Sequence, residues 1–569
     1  MRLGAARAVI AMLTAASLSA GSSVSIAGTR QSAPEPLATR IDRLLADWSH
    51  ADAPGCSVGV RRGADTVFEK GYGAASLEHG VAITPATVFH VASVTKPFTA
   101  MSILLLARDG RLGLDDDVRR HLPEWKGPAG VTIRHLLTHT SGIRDAFLLI
   151  ELAAPGDGGR SRHDHLVGLL ARQRGLIEPP GTRFFYNNGG YVLLADIVQR
   201  VSGQSLRAFV DARILRPLGM RQTHLHDDLD EIVPHVATGY THGADGGLRL
   251  ASRPGGVVGN AGLFTTAGDL LRWLRNFSTP IVGDRALFDA MQAVPVLPNG
   301  ETTSYALGLW IERPGGRRTI AHGGGDPGAS AYVVRYPEHD LGIAILCNVD
   351  GVDTPGIARS IADAVLGASG TSEPAATPPT PVAVTAAALA ANEGLYRSPV
   401  DESLLRIFVR DGVLRGSPGA GADGGWPVTP LGGDRFAIDT TPIVLEFAAG
   451  AAGGRTLRIV GERPAPMVLE RVAPYVPPPG ALAALAGDYV SDELATTAML
   501  TVDGGAVSLR IPGRSAVALQ PIRRDLFAGP LVGSIGVERD AAGTPTGFTV
   551  HAYAARGVRF VRVRPGASR

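Results

Sequence analysis

Val91-Ala-Ser93-Val-Thr-Lys96-Pro97-Phe98-Thr-Ala-Met-Ser-Ile-Leu-Leu-Leu106 is the stretch on which the reading of this 569-residue chain turns. The apolar run from Phe98 to Leu106 is too rich for a surface helix and predicts a central, buried one. Pro97 fits in the first helical turn, where its missing N–H costs nothing. Ser93 is thereby placed at a helix N-terminus, where backbone donors and the helix dipole favour developing negative charge. A Ser-x-x-Lys at that place sets a hydroxyl and an amine one turn apart on the same face. The chain has three lysines, at 70, 96 and 126, against 52 arginines. A guanidinium keeps its proton at any working pH, whereas a desolvated ammonium can release it. Lys96 is therefore suited to activating Ser93 as a nucleophile. So short a motif also arises by chance, and its meaning depends on the rest of the sequence.

Length predicts two to four domains. A net charge of +2 gives no reason to expect nucleic acid or an anionic membrane surface as a partner. Arg2 and Arg7, the apolar core Val9 to Leu18, and small residues at Leu18-Ser-Ala20 or Ser25-Ile-Ala27 read as a signal peptide over residues 1–27. The apolar core is too short to span a bilayer, and no cysteine near it suggests a lipid anchor. A periplasmic or secreted protein is expected. Two cysteines, Cys56 and Cys347, lie in strand-like runs. They read either as buried free thiols or as a disulfide joining the two ends of the first domain.

Residues 36–367 alternate strands and long helices. Ile41 to Ser49 reads as an amphipathic helix, and Cys56 to Tyr72 as two strands turning at Arg62-Gly63. Thr266-x-x-Asp269 resembles a capping box opening a helix over Leu270 to Phe277. Strands follow at Ala331 to Tyr336 and Leu341 to Cys347, then a closing helix over Ile357 to Leu366. Residues 368–381 form a proline-rich linker. Beyond it, short alternating segments with many glycines predict all-β structure. An internal repeat appears there: Gly394-Leu-Tyr396-Arg-Ser398 matches Gly487-Asp-Tyr489-Val-Ser491, and Asp411-Gly412 matches Asp503-Gly504. Pro430-Leu-x-x-Asp434-x-Phe436 likewise matches Pro521-Ile-x-x-Asp525-x-Phe527. The offset of 91 to 93 residues predicts two β-barrel-like modules, 384–474 and 480–566, divided near Pro477-Pro-Pro479.

Ser93-x-x-Lys96 resembles the first motif of the penicillin-recognising serine hydrolases, and further strings agree. Tyr186-Asn187-Asn188 is similar to the Tyr-x-Asn motif of the class C β-lactamase-like branch. His322-Gly323-Gly324 looks like the third motif, which is Lys-Thr-Gly in β-lactamases and His-x-Gly in D-aminopeptidases and some esterases. Val131 to Gly142 and Leu215-x-Pro-Leu-Gly-Met220 are typical of that branch. The resemblance covers about 36–367, and it implies an α+β sandwich in which an antiparallel sheet is flanked by helices. It also implies two-step acyl transfer, in which Ser93 attacks a carbonyl while Lys96 and Tyr186 take and relay its proton. Tyr186 needs a nearby cation to lower its pKa, and Lys96 is the obvious one. Asn188 is expected to hold Lys96 and the substrate amide. The oxyanion is expected between the N–H groups of Ser93 and Gly325, with Gly324 in the same substrate-binding strand.

No cofactor is implied. His163-x-His165 and His224-x-His226-Asp-Asp228 have metal-like spacing, but nothing in the sequence completes a tetrahedral set, so no metal is expected. His135 and His139 read as structural. Gly255-Gly-Val-Val-Gly259 reads as a backbone loop near the active site, not a dinucleotide site. In β-lactamases and carboxypeptidases the third-motif lysine grips a substrate carboxylate, whereas His322 is mostly neutral above pH 7. No lysine follows position 126. The expectation is a serine hydrolase acting on small or short-peptide amides or esters, with D-amino-acid substrates favoured. The layout of one catalytic domain and two β modules resembles D-aminopeptidases. β-Lactamase, DD-peptidase and esterase are the alternatives among enzymes. A ligand-binding sensor is the alternative of another class, disfavoured by the joint presence of Ser93, Lys96 and Tyr186. A loop from a β module is expected to restrict the cleft, and a homo-oligomer stays open.

Overall fold

The strand Cys56–Arg62 is buried over its first six residues, as a strand covered on both faces must be. It lies inside a six-stranded antiparallel sheet, between Asp65–Tyr72 and Leu341–Cys347, and the order continues through Ala329–Tyr336 and Thr319–Asp326 to Trp310–Glu312. The computed structural model describes residues 35–153, 163–243, 246–251 and 256–367 of this part. Beyond it, residues 382–400, 402–419, 425–438, 443–450, 454–461, 466–473, 475–530, 532–552 and 554–564 are described. The expected signal peptide 1–27 and linker 368–381 lie outside the described residues. Among the described residues, no helix is long and apolar enough to cross a membrane.

The two ends of the first domain meet at this sheet. Cys56 stands opposite Cys347 in register, and the two form a disulfide across 291 residues of sequence. The disulfide is thus the reading that applies. Ile41 and Leu45 at the N-terminal helix Leu37–Leu44, with Ile361 of Thr354–Leu366, bury one side of the sheet against Val58, Ile343 and Ile345. The N-terminal helix starts and ends earlier than the expected Ile41 to Ser49 and passes into a 3₁₀ turn at Ala46–Trp48. At Thr266 the side chain does accept the Asp269 N–H. Asp269, however, turns its carboxylate to the Gln222 N–H and the Thr223 hydroxyl, so the capping box is only half made.

The helix Lys96–Arg108 is buried continuously from Lys96 to Leu106, with Pro97 in its first turn. Ser93 sits one step earlier than an ordinary helical residue, in the 3₁₀ turn Ala92–Thr95. That turn starts with Ala92 at φ 44°, a left-handed conformation that costs a non-glycine residue free energy. Thr95 Oγ1 holds it by donating to the Ala92 carbonyl at 2.7 Å.

The C-terminal part forms two closed eight-stranded barrels, spanning Gly394–Arg471 and Gly487–Arg562. The sequence repeat marks their corners. Tyr396 and Tyr489 are fully buried, and each hydroxyl donates to the carbonyl four residues earlier, Asn392 at 2.9 Å and Leu485 at 2.8 Å. Pro430 and Pro521 stand at matching bulges, because neither has an N–H for the ladder. Asp434 and Asp525 offer their carbonyls to Phe447 and Val537 in the same way.

The core of the second barrel is continuous with that of the first domain. Arg144 is buried at this junction. Its Nε and Nη2 donate to the carbonyls of Arg556 and Gly557 at 2.7 and 2.8 Å, and its Nη1 donates to Gln173 and Glu493 at 2.7 and 2.8 Å. The neighbouring Asp145 N–H donates to the Ala554 carbonyl. Removing one partner of a buried ion pair leaves the other charge desolvated. Arg144→Ala should therefore lower the unfolding free energy by about 3–5 kcal/mol. Urea denaturation of the full chain checks this, and a loss under about 1 kcal/mol would put the junction among weak surface pairs.

Candidate active site

Lys96 has no exposed surface, and its Nζ has three neighbours. It donates to Asn188 Oδ1 at 2.8 Å and to the Asn260 carbonyl at 2.9 Å, and it lies 2.9 Å from Ser93 Oγ. Two of these neighbours can only accept. A neutral amine has two N–H groups and one lone pair, so satisfying both carbonyl oxygens turns the lone pair onto the serine hydroxyl. Burial pulls the Lys96 pKa down to about 7, while the carboxylates of Asp326 and Asp145 act in the opposite direction. The amine is thus poised to take the proton of Ser93 near neutrality.

Tyr186 also hydrogen-bonds Ser93, but burial pushes its phenol up, not down. Lys96 Nζ sits over the face of the ring, 4.8 Å from its centroid. The expectation that Lys96 makes Tyr186 a base is corrected accordingly. Asn187 places both neighbours by capping the helix Asn188–Ser202: its Oδ1 accepts the Gly190 N–H, and its Nδ2 donates to the Ile143 carbonyl. Tyr186 stays just outside the helix, and Asn188 enters its first turn.

His139 packs against Tyr186 and Tyr305 at ring distances of 4.2 and 4.5 Å, and its Nδ1 accepts the Asn187 N–H. Burial holds it well below the usual histidine range. His135 trades hydrogen bonds with Thr132 at the start of its helix. Gly256 to Asn260 is a backbone loop at the active site, Gly255 being outside the described residues. Gly259 is left-handed at φ 104°, and a Cβ there would lie 2.4 Å from the Tyr191 carbonyl oxygen. Asn260 went unrecognised in the sequence, because a main-chain carbonyl has no residue signature.

The strand Thr319–Asp326 forms the opposite wall. Side chains alternate along it, so His322, Gly324 and Asp326 share one face. Gly324 shows which face that is: a Cβ there would lie 2.1 Å from the Val91 carbonyl oxygen and 3.2 Å from the Ser93 nitrogen, whereas one on Gly325 would meet open space. Only glycine lets the strand come this close to the nucleophile. His322 Nδ1 is 2.6 Å from the Gly323 carbonyl oxygen, which can only accept, so the ring proton is on Nδ1. Its Nε2 then accepts from the Tyr305 hydroxyl at 2.9 Å. Burial, aided by the Lys96 charge, pulls the His322 pKa down to about 3, so the ring is neutral. Tyr305 and Asp326 went unrecognised in the sequence. Asp326 had a signal there, an acidic residue at strand spacing from His322 and Gly324. Its carboxyl group comes 3.8 Å from His90; burial raises its pKa, and the Lys96 charge acts in the opposite direction.

A cavity of about 1420 Å³ runs outward from Tyr186, past Arg183, Phe184 and Ser304, to Ser398, Val400 and Met467 of the first barrel. The first barrel therefore lines this cavity, at whose inner end Tyr186 stands. His163-x-His165 joins no three-residue ligating group among the described residues, whereas His224-x-His226 is completed by Glu231. Three such groups still fall one short of the four protein ligands of a closed tetrahedral site.

A serine whose proton is held for a buried, near-neutral amine, facing a strand that glycine brings within contact, defines an acyl-transferring serine hydrolase. The chain belongs to the Beta-lactamase family, whose model matches residues 38–367. It is 31% identical over 302 residues to penicillin-binding protein 4* of Bacillus subtilis (strain 168), covering 50% of this chain and 66% of that protein. It is 27% identical over 534 residues to the D-aminopeptidase of Brucella ovis, covering 90% and 96%. Among solved structures, the octameric penicillin-binding protein homologue from Pyrococcus abyssi superposes with a TM-score of 0.54 at 24% identity, covering 84% of this chain and 98% of that one. The D-amino acid amidase from Ochrobactrum anthropi SV3 shares the fold at a TM-score of 0.50 and 23% identity, over 58% and 99%.

A base that must be neutral sets the sign of the pH dependence. kcat/KM should rise with pH through about 7 and then level off. Lys96→Arg, charged at every pH, should lower it by about 10²–10⁴-fold. Initial rates on an activated ester measure both, and a wild-type profile flat from acid to neutral pH would remove Lys96 as the base.

Proposed function

We propose that this chain cleaves amide or ester bonds through a Ser93 acyl-enzyme, on substrates with a free α-amine beside the scissile carbonyl, with D-amino-acid peptides and amides favoured. The observation that carries this reading is the pairing of a neutral His322 with the carboxylate of Asp326 on one face of the substrate strand. A lysine in the third motif would attract a substrate carboxylate. A carboxylate there attracts an ammonium instead.

In this mechanism Ser93 attacks while Lys96 accepts its proton, and Tyr186, hydrogen-bonded to Ser93, passes a proton to the leaving group. Asn188 keeps the amine aimed and contacts the substrate amide. The N–H groups of Ser93 and Gly325 hold the oxyanion, Gly324 lets the strand close on it, and His322 with Tyr305 shapes the floor. Losing one oxyanion donor typically costs about 10²–10³ in rate. Water then hydrolyses the acyl-enzyme, giving its proton to the Tyr186 oxygen while Lys96 returns its own to Ser93 Oγ. Similarity to a D-aminopeptidase over 90% of this chain supports the reading, as does a hydrolase domain over 36–367 with β modules at 384–474 and 480–566. The disulfide supports export through residues 1–27 to a periplasmic or secreted location, since such bonds persist where the medium oxidises. Similarity to a penicillin-binding protein favours the second reading, a DD-peptidase or β-lactamase. The missing lysine weighs against it.

A fluorescent phosphonate should label the wild type and not Ser93→Ala, and an unlabelled wild type would favour the sensor reading. Asp326→Asn should lower kcat/KM for D-alanyl p-nitroanilide by about 30–150-fold, equivalent to about 2–3 kcal/mol of lost charge pairing. N-acetylated and simple ester substrates should change little. Equal losses on both substrate kinds would end the amine-recognition role.

A further inference from the structure

His224, His226 and Glu231 come together outside the catalytic cleft, with one ligating atom from each within 4.8 Å of the others. We propose that they form a zinc site that fastens the small sheet next to the nucleophile. Two imidazoles and one carboxylate are a donor set suited to zinc, leaving a fourth position for water.

Each residue arrives from a different constraint. His224 is in the two-residue strand His224–Leu225, where it stands opposite Phe264. His226 follows the strand, is fully buried, and packs its ring 4.9 Å from Phe264. Glu231 folds back from the loop so that its Oε2 lies 3.7 Å from His226 Nδ1. Tetrahedral ligands around a zinc ion stand a little over 3 Å apart, so closing this set requires only small side-chain shifts. Among the described residues, His224 Nε2 is buried without a hydrogen-bond partner. Leaving such an atom unpaired costs free energy that a metal bond would recover.

Arg207 holds both oxygens of Glu231 at 2.7 Å and reaches Asp227 at 3.1 Å. A bidentate guanidinium uses one side of the carboxylate and leaves lone pairs on the other for a cation, while fixing its orientation. The nearby Asp227 offsets the guanidinium charge. A cavity of about 300 Å³ lined by Ser205, Arg207, Asp211 and His224 gives a metal and its water an approach.

The position gives the site its effect. His224–Leu225 pairs with Leu263–Thr265, and that strand pairs with Phe89–His90. The Leu263 carbonyl accepts the Val91 N–H, and the Leu263 N–H donates to Thr95 Oγ1. Metal binding therefore tightens the sheet that holds both ends of the Ser93 turn, while contributing no atom to the reaction. Binding to the folded state alone raises stability by mass action.

The test uses full-length protein freed of metal by EDTA and then titrated with Zn²⁺ by calorimetry. One equivalent should bind, raise Tm, and leave Ser93 labelling intact. His224→Ala and Glu231→Gln should each weaken binding by at least about 100-fold, and Arg207→Ala by about 10-fold. His163→Ala, in the helix His163–Ala171, should change nothing. Should a ligand variant fail to fold, diethyl pyrocarbonate footprinting of the wild type decides, because Zn²⁺ must then protect His224. No stoichiometric binding by the wild type, undiminished binding in the ligand variants, or an unprotected His224 overturns the proposal.

Discussion

A buried amine with two carbonyl acceptors and one hydroxyl neighbour is the constraint on which the rest of this molecule depends. Desolvation takes the proton from Lys96 near neutral pH, and the acceptors from Asn188 and Asn260 decide where its lone pair points. Each acceptor is in turn fixed by something larger. Asn188 is set by the Asn187 helix cap, and Asn260 by a loop threaded past Tyr191 through a left-handed glycine. The Ser93 turn tolerates the strained Ala92 because Thr95 and Leu263 hold it. Packing thus converts an ordinary lysine into a base, and arginine could not be converted in this way.

The same dryness explains the opposite behaviour of the neighbouring aromatic groups. Tyr186, Tyr305, His139 and His322 form one ring cluster around the amine, and burial favours the neutral form of each. Charge in the site is left to Lys96, Asp326 and Asp145. On the proposed reading, such a cleft would discriminate by the sign of the substrate's charged end, because a poorly matched charge would lose its water without gaining a partner.

The barrels belong to this arrangement through Arg144 and Asp145. Arg144 is locked by carbonyls of the second barrel, Asp145 is tied to Ala554, and Ile143 receives the Asn187 side chain. One short segment therefore connects the second barrel to the residues that aim Asn188. The first barrel contributes differently, by lining the outer cleft with Ser398, Val400 and Met467. Nothing in the repeat announced that the two modules would divide these tasks. The repeated residues are those a closed barrel needs at its corners, and they are silent about the surfaces between.

By itself, the amino-acid sequence determined the parts whose physics is local. The apolar run after Ser93 required a buried helix, the spacing of Ser93 and Lys96 put hydroxyl and amine together, and the 91–93-residue repeat of turn and bulge residues specified two barrels. The motifs with Tyr186, Asn188 and His322 were legible because the resemblance rests on those side chains themselves. The tertiary structure alone decided what depends on distant chain segments meeting. It joined Cys56 to Cys347, gave Lys96 its third neighbour through a main-chain carbonyl, set Tyr305 against His322, and turned Asp326 toward the nucleophile. It also brought Glu231 to His224 and His226. The reason is common to all of these: desolvation, hydrogen-bond direction and charge proximity are properties of places in space, and the places are made by residues that sequence spacing does not connect.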